Sequence, residues 1–208
     1  MCDSFDHLID QGLTGEQVDE IKTILERHRP LFAKRKGHTH LVEHHINTGD
    51  AKPISTRPAR VSPPERVLIQ NLVQAMIDDD IVEPCNSPWS SRVVLAPKPN
   101  GHGIRFCVDF RAINKLCVPD VHPLPVMDDL IGHLDGATFY STMDLETGFR
   151  QIPLAPGDRP KSCFVTPDGL YQFKRLPFGL QASPPNFQRL MNRVLKDLLW
   201  TECVCYLA

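Results

Sequence analysis

Phe187, Leu190, Met191, Val194, Leu195 and Leu198 recur at i, i+3, i+4, i+7, i+8 and i+11, a spacing that only an α-helix gathers into one apolar face. The run opens at Ser183, with Pro184 at the first helical position, where a missing N–H costs nothing. A helix of this kind gains its stability by covering that face, so the chain must supply a packing surface. Two earlier runs obey the same logic. Thr14-Gly-Glu-Gln17 reads as a capping box before Val18, Ile21 and Leu25, and Pro30 stops that helix. Ser62 with Pro63 and Glu65 opens another, whose face is Leu68, Leu72 and Met76 with Ile69, Val73 and Ile77 beside them. Asp78-Asp-Asp80 near its end reads as a solvated helix end, because adjacent residues on a helix point in different directions.

Between the second and last helices the pattern changes to strands. Arg92–Ala96 and Ile104–Asp109 are predicted to form a hairpin around the loop Pro97–Gly103. Cys163–Thr166 and Tyr171–Leu176 form a second, with Pro167-Asp-Gly169 at its tip. Thr138–Asp144 alternates and is expected to be a strand ending at Asp144. Glu202–Leu207 reads as the start of another, and Leu41–Asn47 as a possible one. Strands and helices without a βαβ rhythm predict an α+β fold.

Charge narrows the partners. The net charge is −2, yet two stretches are strongly basic. Residues 92–115 carry five Lys or Arg against one acid, and residues 150–196 carry eight against two. Two readings fit: a polyanionic partner on one surface, or acids folded nearby that balance the charge. The seven cysteines are scattered without a Cys-x-x-Cys pair and read as reduced thiols of an intracellular protein. His38, His40, His44 and His45 crowd together, but no cysteine accompanies them, so a half-exposed strand edge is the expectation rather than a zinc site. No signal peptide or membrane-spanning run is legible, so no membrane partner is expected.

Taken from the residues alone, Asp144 at a strand end is either a ligand for a hard divalent cation or a cap for the turn that follows. Lys98 and Arg105 are either a phosphate clamp or two exposed basic side chains.

Denser information lies in the blocks. Glu43-His-His-Ile-Asn-Thr-Gly49, Ser87-Pro-Trp-Ser-Ser91 and Arg105-Phe-Cys-Val-Asp-Phe-Arg-Ala-Ile-Asn-Lys115 resemble the reverse transcriptases of gypsy-type LTR retrotransposons. So do Pro123-Leu-Pro125, Met143-Asp-Leu-Glu-Thr-Gly-Phe-Arg-Gln-Ile152, Leu176-Pro-Phe-Gly-Leu180 and the helix from Ser183 to Asn192. They fall in the family's order across about four-fifths of the chain.

The resemblance implies the fingers and palm of a right-hand polymerase over residues 43–208, preceded by a linker helix and extended segment over 1–42. It implies an RNA-directed DNA polymerase acting on an RNA or DNA template with primer and on deoxynucleoside triphosphates. It also implies two divalent ions, magnesium or possibly manganese, about 3.5–4 Å apart. Asp144 would be the first metal-binding aspartate, with the Leu145 carbonyl beside it. Lys98 and Arg105 would hold the triphosphate, and Thr147 and Gly148 would lend backbone to it. Phe149 would exclude a ribose 2′-hydroxyl. Phe178, Gly179 and Gln181 would lie near the nascent pair, though many retroviral relatives carry glutamine where Phe178 stands. The implied location is intracellular, in a cytoplasmic virus-like particle or the nucleus, and nothing bears on oligomeric state.

One departure concerns the end. The family continues with Tyr-x-Asp-Asp, and this sequence reads Tyr206-Leu207-Ala208. The expectation is a truncated fingers-and-palm piece, without thumb, that does not polymerise alone. The alternative is a non-catalytic nucleic-acid-binding or domesticated remnant.

Overall fold

Local signals place the helices. The computed structural model describes residues 5–9, 12–32, 37–97 and 103–207. Two units divide the chain, Met1–Gly37 and His38–Ala208. In the first, helix α1 (Gly15–Arg27) starts at the expected capping box: the Gln17 N–H donates to Thr14 Oγ1 at 3.4 Å and the Thr14 N–H to Gln17 Oε1 at 2.9 Å. No residue of α1 is buried, and Val18, Ile21 and Leu25 form its half-buried stripe. Lys22 pairs with Asp6 at 2.6 Å within the same unit.

In the second unit, helix α2 (Pro63–Asp78) opens on the Ser62–Glu65 box, the Ser62 N–H donating to Glu65 Oε2 at 2.7 Å. Its deepest line is Ile69, Val73 and Met76, on the expected face. Asp80 is not simply a solvated end. It adopts a left-handed conformation (φ 57°), pairs with Lys174, and takes the buried Arg175 guanidinium at 3.3 Å. The helix end is thereby tied to the segment just past the strand Gly169–Phe173, 94 residues away in sequence.

Five strands make one sheet in the order β1-β5-β4-β2-β3: β1 (Val82–Pro84), β2 (Ser91–Pro97), β3 (Ile104–Val108), β4 (Phe164–Thr166) and β5 (Gly169–Phe173). Both expected hairpins are present, with Ala96 opposite Arg105 and Thr166 opposite Gly169. The second turns on Pro167 and Asp168, where Thr166 Oγ1 accepts from the Asp168 N–H at 3.2 Å and Arg66 Nε donates to Asp168 at 2.9 Å. Long-range pairing fuses the hairpins. Ser91 lies opposite Phe164 and Arg92 opposite Val165 in a parallel ladder, and β1 closes the other edge against β5.

Short helices α3 (Arg111–Asn114) and α4 (Met127–His133) follow the first hairpin, and α5 (Ser183–Val194) comes last. Phe187, Leu190, Gln188, Ser183 and Pro185 form the buried side of α5, which ends before the predicted Leu198. Phe110, Phe164, Ile113, Ile152, Leu154 and Leu176 are fully buried in one core with Ile69, Val82 and Trp89. Each such side chain contributes about 1.5–3 kcal/mol on burial. The α+β expectation is met.

Three expected strands are absent. Residues 138–144 have no strand structure, and every residue from 135 to 147 is exposed. A strand needs a neighbour for its N–H and C=O groups, and none of the described residues pairs with this one. The hydroxyl of Tyr140 instead lies 2.6 and 2.7 Å from the Leu134 and Ala137 carbonyls. Residues 202–207 make only a Leu199–Cys203 bridge. Residues 41–47 make only a His44–Leu154 bridge, although burial alternates through Thr48 as on a half-covered edge. His44 sits on the covered side at 2% exposure. No described helix is long and apolar enough to cross a membrane.

Candidate active site

Asp144 lies in the exposed stretch before the turn at Glu146 and Thr147. Leu145 beside it is exposed as well. Thr147 then takes a left-handed conformation (φ 49°), which a non-glycine residue holds only where the surroundings require it. That kink starts a single 3-10 turn, Gly148–Gln151, closed by the Arg150 N–H on the Thr147 carbonyl at 2.8 Å. The turn delivers the chain to the fully buried Ile152, so it is anchored at one end and open at the other.

Helix α5 supports the turn from below. A Cβ on Gly148 would stand 2.8 Å from Phe187 Cζ, so any side chain here would have to push that ring aside. The Phe149 ring is half-buried, 5.4 Å edge-on from Phe187 and 5.1 Å from Phe178. Such ring pairs favour tilted and edge geometries, which hold Phe149 in one orientation.

Phe178 comes from the loop before α5 and is 55% exposed, leaving one face of the pair to solvent. Two features shape that loop. Gly179 has φ 92°, with the Phe110 ring and the Val108 carbonyl 3.6 Å from where a Cβ would sit. Asn114 of α3 spans it: its Nδ2 donates to the Gly179 carbonyl at 2.8 Å, and its Oδ1 accepts the Gln181 N–H at 3.0 Å. Helix α3, just past the first hairpin, is thus bonded to the loop that carries Phe178.

Of the expected site residues, Gly148, Phe149, Phe178, Gly179 and Gln181 converge through these contacts. Asp144 and Leu145 lead into them along the chain. Arg105 is exposed on β3 opposite Ala96. Lys98 lies outside the described residues. Phe187 and Asn114 were not singled out from sequence. A helical periodicity marks Phe187 only as core, and nothing local shows that Asn114 reaches 67 residues ahead.

Electrostatics around the site are mostly paired. Arg111 grips Asp109 through two bonds of 2.8 Å and Arg92 adds a third at 3.3 Å, holding that carboxyl well below the usual range. Lys161 pairs with Asp158 at 2.7 Å, Arg159 with Glu83 at 3.5 Å and Arg189 with Asp120 at 2.8 Å. Much of the basic excess is therefore balanced by folded-in acids. Among the described residues, Arg105, Lys115 and Lys196 make no ion pair.

The family generally uses a divalent metal. Among the described residues no group of three or more His, Cys, Asp or Glu is arranged to hold one. Asp144 and a carbonyl fall short of the six or so oxygens that a hard cation takes. They are a partial donor set.

The chain is 33% identical over 202 residues to the retrovirus-related Pol polyprotein from transposon 297 of Drosophila melanogaster, covering 94% of this chain and 19% of that one. It is 32% identical over 166 residues to the corresponding polyprotein from transposon gypsy of the same organism, covering 77% and 16%. The chain thus spans about a fifth of the length of such relatives. It is also 39% identical over 104 residues to an RNA-directed DNA polymerase homolog of Oenothera berteroana, covering 50% of this chain and 73% of that one. The crystal structure of the prototype foamy virus protease-reverse transcriptase superposes with a TM-score of 0.79 at 25% identity, over 90% of this chain and 26% of that one. The two chains share a fold over that length. The family model for reverse transcriptase (RNA-dependent DNA polymerase) matches residues 96–207. That match takes in more than half of the chain, including Arg105 and all of the converging residues from Gly148 to Gln181, and the chain belongs to the reverse transcriptase family.

Proposed function

We propose that this chain forms the fingers and palm, over residues 43–208, of an RNA-directed DNA polymerase, with residues 1–42 as a leading linker. The observation that carries the reading is the cradle of Phe149 between Phe178 and Phe187, set directly after the exposed Asp144. A nucleotide arriving there would meet a fixed aromatic edge, a carboxylate and the backbone of Thr147 and Gly148. Arg105 carries no competing ion pair among the described residues and is available for phosphate, and Lys98 is proposed to act with it. Template and primer, as RNA or DNA, and deoxynucleoside triphosphates are the proposed ligands. A foamy virus relative of the same fold was solved with an RNA/DNA hybrid. In the complete enzyme the proposed metal is magnesium, or manganese, to which this chain contributes Asp144 and the Leu145 carbonyl; when bound it neutralises charge on the phosphoryl oxygens. The proposed setting is intracellular, in a cytoplasmic particle or the nucleus.

Primer extension tests the reading. A polypeptide of residues 1–208 carries one carboxylate of the family's three and is expected to show no templated incorporation above an Asp144→Ala control. A polypeptide continued with the Tyr-x-Asp-Asp aspartates and thumb is expected to polymerise and to lose activity on Asp144→Ala. In that active form Phe149→Val is expected to raise ribonucleotide use relative to deoxynucleotide use by about tenfold or more on one template. An unchanged ratio would remove Phe149 from the proposed role.

A further inference from the structure

Cys85 and Cys163 are 78 residues apart in sequence, yet their Sγ atoms lie 3.4 Å from one another. Backbone bonds hold both. The Cys85 N–H, just past β1, donates to the Leu170 carbonyl at 3.0 Å. The Cys163 N–H, just before β4, donates to Pro160 at 3.2 Å, and its carbonyl accepts from the Ser91 N–H at 2.9 Å. Ser87 Oγ donates to the same Pro160 carbonyl at 2.8 Å, pinning the β1–β2 loop over the turn that leads into β4. Among the described residues no other pair of cysteine sulfurs comes this close.

We propose that Cys85 and Cys163 are a site of reversible oxidative modification, in which hydrogen peroxide joins them as an intramolecular disulfide. Cys85 is half-buried and Cys163 is 0% exposed, so Cys85 is the sulfur that meets the oxidant. Its thiolate attacks one peroxide oxygen, the O–O bond breaks, and sulfenic acid and one water form after protonation. The Cys163 thiol then loses its proton and attacks the Cys85 sulfur, the S–O bond breaks, and a second water leaves. Two thiols are oxidised by two electrons and one peroxide is reduced to two waters. The sulfurs must approach by about 1.4 Å to reach bonding distance. Burial raises both thiols, Cys163 the more strongly, so the thiolate fraction is small at neutral pH and the reaction with peroxide is slow. Contact between the sulfurs, rather than acidity of either, selects this pair.

The test uses the full 208-residue chain, purified reduced and exposed to graded hydrogen peroxide. After blocking free thiols under denaturing conditions, trypsin digestion without reductant is followed by mass spectrometry. The expected product links the peptide of residues 67–92 to that of residues 162–174, two hydrogens lighter than the separate peptides. The remaining cysteines are expected to be blocked rather than linked. The thermal midpoint is expected to rise by several degrees on oxidation and to return with reductant. Cys85→Ser, at the more exposed position, is expected to abolish both effects even where Cys163→Ser does not fold. Sulfinic or sulfonic acid at Cys85 without the linked peptide, or random linkage among the cysteines, would overturn the proposal. Neither outcome depends on polymerase activity.

Discussion

The imidazole of His44 is 2% exposed, and its Nδ1 has no hydrogen-bond partner among the described residues. Burial first, then the neighbouring His45 and Arg189, lower its pKa to about 4, with Asp158 and Asp120 opposing. In the unfolded chain it takes a proton near its ordinary 6.5. Between those values the unfolded state binds more protons than the folded one, so stability is present above about pH 6.5 and is lost as pH falls toward 4. A loss on the order of 3 kcal/mol is expected from this group. The Asp109 carboxyl titrates below that window, since Arg111 holds it under its ordinary 3.8. Urea midpoints measured from about pH 7 to pH 4 should fall steeply for the natural chain and less for His44→Leu; identical slopes would acquit His44. Gly148 offers a second residue-scale test. Gly148→Ala drives a methyl against the Phe187 ring and should cost about 1–3 kcal/mol in the same assay. Combined with Phe187→Leu it should cost less than the two changes summed, and strict additivity would argue against the contact.

At the level of elements, α2 and α5 behave as their sequences require, because caps and apolar spacing are encoded within a few residues of where they act. The stretch 138–144 does not. It alternates, and it contains β-branched and aromatic residues, but alternation supplies only one side of a strand. Phe139, Tyr140 and Met143 remain exposed for want of a ladder among the described residues. In hydrogen exchange on the 208-residue chain, amides 138–144 should exchange at least about tenfold faster than those of β2 and β5. Protection equal to the sheet would mean that the stretch has found a partner in solution. Histidine placement follows the same rule. The sequence placed His38, His40, His44 and His45 on a half-exposed edge, and only the bridge to Leu154 decided that His44 is the covered one.

Over the whole molecule, charge is the quantity that folding rearranged most. Thirteen Lys and Arg stand in the two basic stretches, but Asp109, Asp80, Glu83, Asp158 and Asp120 neutralise many of them through space. Nucleic-acid binding by the 208-residue chain is therefore expected to be weak. Its affinity should fall with salt on a log–log slope on the order of −2 to −4, as for a few phosphates rather than a dozen. Fluorescence anisotropy across a salt series measures it. A slope near −10 would mean that the ion pairs open on binding, and a slope of zero that the remaining basic residues face no phosphate.

The order of the sequence blocks by itself determined the family, the α+β class, both hairpins and the faces of the longer helices, since each is written in neighbours a few residues apart. It also named Asp144, Phe149 and Phe178 through motifs that need no fold to be recognised. Only the tertiary structure decided that two hairpins join through a parallel ladder, that Asn114 clamps the Gly179–Gln181 loop, and that Phe187 supports Gly148. It alone brought Cys85 to Cys163 and Asp80 to Arg175. These are contacts between residues tens of positions apart, which sequence spacing does not encode because chain folding, not chain order, sets the distance between them.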